Sequence, residues 1–525
     1  MKTAENNRLG PAVVLVAERT LSAGYKALFE GILATMQTTQ VPQLAMRMLL
    51  SPPARVDYQG RAVTAPLGIR RVESALLAAT PLTDRDVVCT TPEALGKVLG
   101  PWTKIVAVSS GDPLGGGMSN TTTRSFWKGQ LYTKFWTAQL LEAVRAAKEK
   151  YHFHVVAGGA GAWQWAANQD QARQSGIDTI CQGNFESAGP KLFMDILAGL
   201  AVPAHVSWPG TSCSQIQPIR GASTMGVIEL TRGCGNGCVF CASGRGEMEH
   251  LPAETILADV RTNARLGQAS IVSSSEDFFR YGSVGGKVNF ESLRSLLEAM
   301  RRQESLRFMQ IDHGNISSVM QFSEDQLGEI RRLLTWQSRT DYLWVNMGIE
   351  SANGLLVQAN GPGKLGPYRP EDWEDLARQA ADRMTRAGFF SVFSVILGLP
   401  GETPDDISRT LKLVGQLTRE QAVIFPIFYE PIGPGLGKPF TLADMRADHL
   451  ELYRTCYENN FKRVPKLFWD NQRAAGVGFA KRALLQVLGL GETRAWRRNF
   501  ARLDKQLAAK SAGRQSAGQS APARP

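Results

Sequence analysis

Thr231-Arg232-Gly233-Cys234-Gly235-Asn236-Gly237-Cys238-Val239-Phe240-Cys241 places three cysteines at Cys-x3-Cys-x2-Cys spacing on a glycine-rich loop, directly behind the apolar run at 225–230. A loop this short brings three thiolates together. Three ligands suit a four-iron, four-sulfur cluster with one iron left open, whereas a structural zinc site wants a fourth Cys or His close by. None stands near the loop. The other cysteines, Cys89, Cys181, Cys213 and Cys456, are scattered, so the odd total of seven reads as a metal site in a reducing compartment rather than a disulfide framework.

Downstream, the run at 225–230 is the first of six strand-like segments, followed by 269–274, 306–311, 342–347, 389–397 and 422–428, with intervals long enough for helices. This predicts a partial (β/α)6 barrel over 225–431, with chemistry at the carboxyl ends of its strands. Upstream, Ala12-Val13-Val14-Leu15-Val16, Asp86-Val87-Val88-Cys89, Lys104-Ile105-Val106-Ala107-Val108, Phe153-His154-Val155-Val156-Ala157 and Ile177-Asp178-Thr179-Ile180 alternate with helical stretches. Residues 10–200 therefore read as a doubly wound, Rossmann-like α/β domain, with ligands expected outside the carboxyl strand ends. Those ends run into Ser109-Ser110-Gly111-Asp112-Pro113-Leu114-Gly115-Gly116-Gly117 and Gly158-Gly159-Ala160-Gly161-Ala162. A nicotinamide site would want Gly-x-Gly-x-x-Gly after the first strand, where Ala17-Glu18-Arg19-Thr20 stands instead.

The Pro, Ser, Thr and Gly content of 201–224 marks a linker, 432–507 reads as a helical C-terminal domain, and 508–525 has the composition of a disordered tail. The 525 residues are 43% hydrophobic and 20% charged, a globular composition. No stretch of about twenty apolar residues occurs and the N-terminus lacks the order of a signal peptide, so we expect a cytoplasmic chain without a membrane span. The net charge of +11 is concentrated in 441–525, with 16 Lys/Arg against 7 Asp/Glu. Without a recognition motif or stacking platforms that surplus reads as a solvated helix face, and no specific nucleic-acid partner is expected.

The cluster loop resembles the radical S-adenosylmethionine (SAM) superfamily, in which the amino and carboxylate groups of SAM chelate the open iron and an aromatic residue precedes the third cysteine. Phe240 occupies that place. Cys234, Cys238 and Cys241 are then the cluster ligands. The resemblance further implies SAM contacts from Glu276 and Asp277 in Ser273-Ser274-Ser275-Glu276-Asp277 and from Asn315 in Ile311-Asp312-His313-Gly314-Asn315. It adds Glu350 in Gly348-Ile349-Glu350-Ser351 and Gly398 in Gly398-Leu399-Pro400-Gly401-Glu402-Thr403. Glu402 reads equally as a helix-start carboxylate and His313 as a structural imidazole.

With the first domain included, residues 10–460 resemble the cobalamin-dependent radical SAM methyltransferases. Cobalamin domains often carry Asp-x-His-x-x-Gly, and Asp112-Pro113-Leu114-Gly115-Gly116-Gly117 keeps Asp112 and Gly117 but has Leu114 at the histidine position, so this loop offers cobalt no lower ligand. Implied cobalamin contacts are Ser109, Asp112, Leu114, Gly117, Gly158, Gly159, Gly161 and Gly183, although Cys181-Gln182-Gly183-Asn184-Phe185-Glu186 departs from the Gly-Glu-Gly of many relatives. Pro66-Leu67-Gly68-Ile69-Arg70-Arg71 resembles the branch containing tryptophan C2-methyltransferase and protein glutamine C-methyltransferases, where an arginine lies near the lower face of cobalt. Arg70 is the catalytic candidate and Arg71 the fallback.

The implied activity is methyl transfer from SAM via methylcobalamin to a carbon of a small-molecule or peptide substrate, with an external electron donor. Radical transfer to an sp3 carbon and polar transfer to an aromatic carbon both remain open. So do a cobalamin-using cyclase or oxidase, a methylthiotransferase with a second cysteine-held cluster, and a cluster- and SAM-binding sensor without turnover. Trp344, Phe393, Tyr429 and Glu430, at or near barrel strand ends, are cavity candidates.

Overall fold

The structure is a computed structural model that describes residues 10–241, 246–335, 343–432 and 436–519. Parallel sheets covered on both faces need strands that are apolar throughout. β1 (Val13–Ala17) is buried along its whole length between β2 (Val87–Thr90) and β3 (Ile105–Ser109), with Val13 opposite Val87 on one side and Ile105 on the other. β4 (His154–Gly158), β5 (Thr179–Gln182) and β6 (His205–Ser207) continue outward, giving the parallel order β2-β1-β3-β4-β5-β6. The winding reverses between β1 and β3, which puts the ligand crevice of such a sheet at their carboxyl ends. Helices α1 (Leu67–Ala79), α2 (Met118–Phe126) and α3 (Phe185–Leu197) belong to this half.

The stretch 201–224 is more than a linker. It supplies the edge strand β6 and a two-residue strand, Ala222–Ser223, that pairs with Thr64–Ala65. Strands this short, set among prolines and serines, carry too little alternation to be read from sequence.

The second half is the expected barrel of six parallel strands: β7 (Val227–Glu229), β8 (Ser270–Ser274), a divided third, β11 (Leu343–Glu350), β12 (Phe389–Leu397) and β13 (Ala422–Phe428). Tyr342, assigned to the fourth strand from sequence, lies outside the described residues. The third strand is split into β9 (Phe308–Gln310) and β10 (His313–Gly314), and β9 pairs with β8 whereas β10 pairs with β11. Gln310 stands at the split. Its buried amide donates to the carbonyls of Ile311 at 2.7 Å and Trp344 at 2.6 Å, standing in for ladder bonds. The core between strands and outer helices is built from Ile271, Leu293, Val345, Trp373, Phe389 and Phe393 among others.

Two helices close the chain, α4 (Ala447–Ala474) and α5 (Phe479–Gln519). The helical backbone of α5 runs well into 508–525, where sequence composition predicts disorder; Ala, Gln, Lys and Arg favour helix without any apolar periodicity. Residues 520–525 lie outside the described residues.

The halves join with their carboxyl strand ends facing each other. The amide of Phe428, at the end of β13, donates to Thr122 Oγ1 on α2 at 2.8 Å. Met118, at the start of α2, and Val239 and Phe240 of the cysteine loop all pack on one buried group, Leu356, Ile396, Leu399 and Tyr429.

Candidate active site

The cysteine loop owes its shape to glycines. Gly233, Gly235 and Gly237 have φ of +72°, +70° and +64° and alternate with Cys234, Asn236 and Cys238, a left-handed alternation that side chains resist. Cys234 and Cys238 are buried, Cys241 is half-buried, and all three are free thiols. The Asn236 amide donates to the Cys234 sulfur. A second loop clamps the first: Val239 N–H donates to Asn360 O and Gly363 N–H to Asn236 O, both at 2.9 Å. A Cβ at Gly361 would stand 2.7 Å from Cys238 Sγ, so this glycine gives the sulfur its room.

Lys364, at the end of the clamping loop, was not singled out from sequence because Asn360-Gly361-Pro362-Gly363-Lys364 reads simply as a turn. Its Nζ donates to Glu350 Oε1 at 2.6 Å in a buried pair, and Ser394 Oγ donates to Glu350 Oε2 at 3.1 Å. Burial would lower the Lys364 ammonium, but Glu350 and the Cys238 and Cys234 thiols hold it high, so it stays charged beside the cysteines. Burial pushes the Cys238 thiol up to about 12 against the pull of Lys364. Metal loading therefore expels protons there. Glu350 itself has φ +63° at an irregularity of β11, a strained setting for a non-glycine residue.

The third strand brings Asn315 to the same end. Its Nδ2 donates to Lys364 O at 3.0 Å, while its buried Oδ1 lacks a partner within the structure. Glu276 is half-buried, and its charge acts on Cys234 and His313. His313 bonds Asp312 Oδ2 at 3.0 Å with half its surface open; Asp312 and Glu276 raise its pKa although desolvation opposes them. Asp277 differs from expectation. It is fully buried, accepts from Asn315 N at 3.2 Å and from Ser318 Oγ, and burial pushes it to about 6, so its carboxyl shapes the loop and is closed to a ligand. Gly398 has φ +81°, and its N–H donates to Glu402 Oε2 at 2.9 Å.

In the first half, Asp112 is a hub. It accepts from Gly117 N at 3.1 Å, from Gln164 Nε2 at 2.5 Å and from Asn120 Nδ2, and Gln164 Oε1 accepts from Leu114 N at 2.8 Å. Its carboxylate ties the β3 and β4 loops together and has little left for a ligand. Three expected contact glycines are explained by the protein itself: a Cβ at Gly159 would strike Ser109 Oγ, at Gly161 Pro113, and at Gly183 the carbonyl of Trp208. Around Gly158 only Cys181 approaches, no closer than 3.7 Å, so that strand end is open. Ser109 and Leu114 are half-buried beside it.

The catalytic expectation for Arg70 does not survive. Its Nε donates to Ala222 O at 3.1 Å and one terminal nitrogen to Ala62 O at 2.9 Å, both buried, and the other terminal nitrogen to Glu73 at 2.9 Å, part-buried. A buried guanidinium needs its donors matched, and here Glu73 and Ala62 of the first half and Ala222 of the chain crossing between the halves do so together. Arg71 is equally committed, to Asp259 Oδ2 at 2.6 Å and Gln217 O at 2.9 Å. Trp344, Phe393 and Tyr429 are core residues rather than cavity walls. Glu430 stays half-buried, bonded to Thr121 of α2. A groove of about 740 Å³ lined by Phe390, Gln421, Lys462 and Lys466 among others lies at the amino ends of β12 and β13, away from this site.

Residues 228–414 match the Radical SAM superfamily. The threonylcarbamoyladenosine tRNA methylthiotransferase of Danio rerio is 26% identical over 240 residues, 45% of this chain and 40% of that protein. The ribosomal protein uS12 methylthiotransferase RimO of Citrifermentans bemidjiense is 24% identical over 278 residues, 51% of this chain and 57% of that protein. The chain thus spans about half the length of the curated relatives it matches. Among solved structures, the radical S-adenosylmethionine methyltransferase TsrM from Kitasatospora setae matches in two forms. With tryptophan substrate and the SAM analog aza-SAM bound, the TM-score is 0.53 at 15% identity, covering 80% of this chain and 75% of that one. With cobalamin and a 4Fe-4S cluster bound, it is 0.51 at 14%, covering 85% and 81%. That likeness is one of fold.

The chain therefore carries a radical SAM domain, which implies a 4Fe-4S cluster and SAM. The residues fit both. Three neighbouring thiols stand beside a buried cation that would offset the charge of their thiolates, Gly361 leaves space at one sulfur, and the orphaned Asn315 Oδ1 is an acceptor awaiting a donor. Among the described residues, no helix is long and apolar enough to cross a membrane.

Proposed function

We propose that this chain transfers a methyl group from SAM to a substrate carbon, using a cobalamin at the β1/β3 crevice opposite a cluster and SAM at the barrel mouth. The observation that carries the reading is the apposition of the two carboxyl strand ends, with Thr122 bonded to Phe428 and Met118 sharing an apolar group with Phe240. When bound, the cluster supplies an electron and cobalamin a carrier for methyl. The chain's own residues position and enclose. Cys234, Cys238 and Cys241 hold the cluster; Lys364 offers a cation to the SAM carboxylate; Asn315, Glu276 and Glu350 accept from its amino and ribose groups. Ser109, Leu114, Gly117 and Gly158 border the corrin, and Leu114 leaves cobalt without a protein ligand from this loop. Met118, Val239 and Phe240 exclude water between the two sites. A small molecule or peptide is the acceptor, and an outside reductant supplies the electron.

The curated relatives favour a second reading, methylthio transfer, which would want a second cysteine-held cluster. Cys89 and Cys181 lie on β2 and β5 with three strands between them, which speaks against such a cluster in the first half.

The test is anaerobic reconstitution with iron, sulfide and hydroxocobalamin, followed by SAM and dithionite. About four irons and one retained cobalamin, with S-adenosylhomocysteine released, are expected. Full iron loading with all cobalamin lost on desalting would overturn the first-domain assignment. A methylthio group on the product would overturn carbon methylation.

A further inference from the structure

The loop after β12 is held from outside the barrel. His449, in the first turn of α4, is wholly buried, and its Nδ1 accepts the backbone N–H of Arg446 at 3.1 Å. That fixes the tautomer, because the nitrogen that accepts carries no proton and the other must. Nε2–H then donates to Glu402 Oε1 at 2.7 Å, and Glu402 Oε2 accepts the N–H of Gly398 at 2.9 Å. Phe440 fills the remaining side. Its ring meets His449 edge-on at 5.0 Å, and it occupies the place where a Cβ of residue 398 would stand. One chain of hydrogen bonds thus runs from α4 to the strand end at Gly398. A cap for the following helix does not explain it, since Thr403 serves as that cap by accepting from Asp406 N.

We propose that His449 and Glu402 are positioning residues for SAM, holding the Gly398 loop in its receiving shape, so that the C-terminal helix belongs to the cofactor site. This rests on SAM lying at the barrel mouth as read above. Neither residue touches the reacting atoms; His449 orients Glu402, and Glu402 fixes the left-handed turn at Gly398. A carboxylate held on both oxygens cannot swing away, and the loop cannot open without stranding a buried imidazole.

The experiment compares full-length His449→Phe, His449→Gln and Glu402→Gln with the parent, all carrying a reconstituted cluster. SAM affinity is measured by anaerobic equilibrium dialysis and by the change SAM makes to the electron paramagnetic resonance of the reduced cluster; iron content and Tm are followed in parallel. Phe keeps the packing on Phe440 and removes the donor, so SAM binding weakens about tenfold while iron content holds. Gln returns a donor to Glu402 and restores most of the affinity. Unchanged SAM affinity in His449→Phe at normal Tm and iron content overturns the proposal. If that variant fails to fold, Glu402→Gln decides, because an amide has one accepting oxygen and cannot accept from both Gly398 N–H and His449 Nε2–H: unchanged affinity there overturns the proposal, and weakened affinity with intact iron supports it. Failure of the parent to bind SAM at all overturns the functional reading itself, a different result from any of these.

Discussion

Arg232, two residues ahead of Cys234, donates to both carboxylate oxygens of Glu186 on α3, at 2.6 and 3.2 Å. The fork also takes Glu229 at 2.7 Å. One guanidinium thereby ties the cluster loop to the first sheet. Bidentate pairs of this kind, largely removed from water, are among the stronger charged contacts.

The pair makes stability depend on pH. Burial alone would raise Glu186, but the hydrogen bonds and charge of Arg232 outweigh it and hold the carboxyl below its ordinary value of 4.5. A carboxyl depressed on folding stabilises fully above its unfolded pKa and loses that contribution as pH falls through the folded value. Urea unfolding of the parent and Glu186→Gln should therefore show an advantage for the parent at neutral pH that shrinks below pH 4.5.

Glu18, at the end of β1, runs the other way. It is fully buried, and burial raises it from 4.5 to about 7 although Thr20 donates to it twice. A carboxyl raised on folding takes up a proton as the chain folds, so stability falls as pH climbs from about 4.5 to 7 and is flat above. Glu18→Gln should gain on the parent across that window, by about 3 kcal/mol at most, and level off at higher pH in the same denaturant assay.

Gly361→Ala tests the room beside Cys238. The backbone at Gly361 is extended, with φ −166°, so alanine strains nothing but meets Sγ at 2.7 Å. Iron content and the visible absorbance of the reconstituted protein should fall while Tm shifts little. Gly68→Ala on α1, where nothing lies within 4 Å, is the matched control and should change neither.

Cysteine replacement should separate the trio from the rest. Alanine at Cys234, Cys238 or Cys241 is expected to abolish the cluster absorbance. Alanine at Cys456, buried among apolar neighbours, should leave iron stoichiometry unchanged and lower Tm modestly through the small cavity, and alanine at Cys89, whose buried thiol bonds Arg70 and Glu73, should leave iron unchanged while lowering Tm further.

What could be read in advance follows contact range. The radical SAM domain was legible from the spacing of the cysteine loop, and the strands because β1 and its neighbours are apolar from end to end. Arg70 was misread because its acceptor at Ala222 is 152 residues away and is a backbone carbonyl, which leaves no mark in the sequence. Gln310 stands where a strand breaks, and its amide looks ordinary in an apolar run. Lys364 and His449 act by tertiary contact with Glu350 and Glu402, and neither spacing nor composition announces such partners. The glycines of the first domain were legible as necessary, but what necessitates Gly159, Gly161 and Gly183 is the protein's own backbone and side chains.

Arg70 and Arg71 also bear on how the protein is made. Both leave the ribosome on α1 well before the residues that receive them, Gln217, Ala222 and Asp259. Until Asp259 has emerged, closing α1 against its neighbours would bury the Arg71 guanidinium short of its charged partner, at a cost of several kcal/mol, whereas Arg70 already has Glu73 and Ala62 and lacks only Ala222 until that residue follows. The packing of α1 is therefore expected to finish after part of the barrel has been made, and a fragment ending near residue 200 would leave Arg71 without Gln217 and Asp259. The seam between the two halves is thus expected to close only once both of its sides have been made.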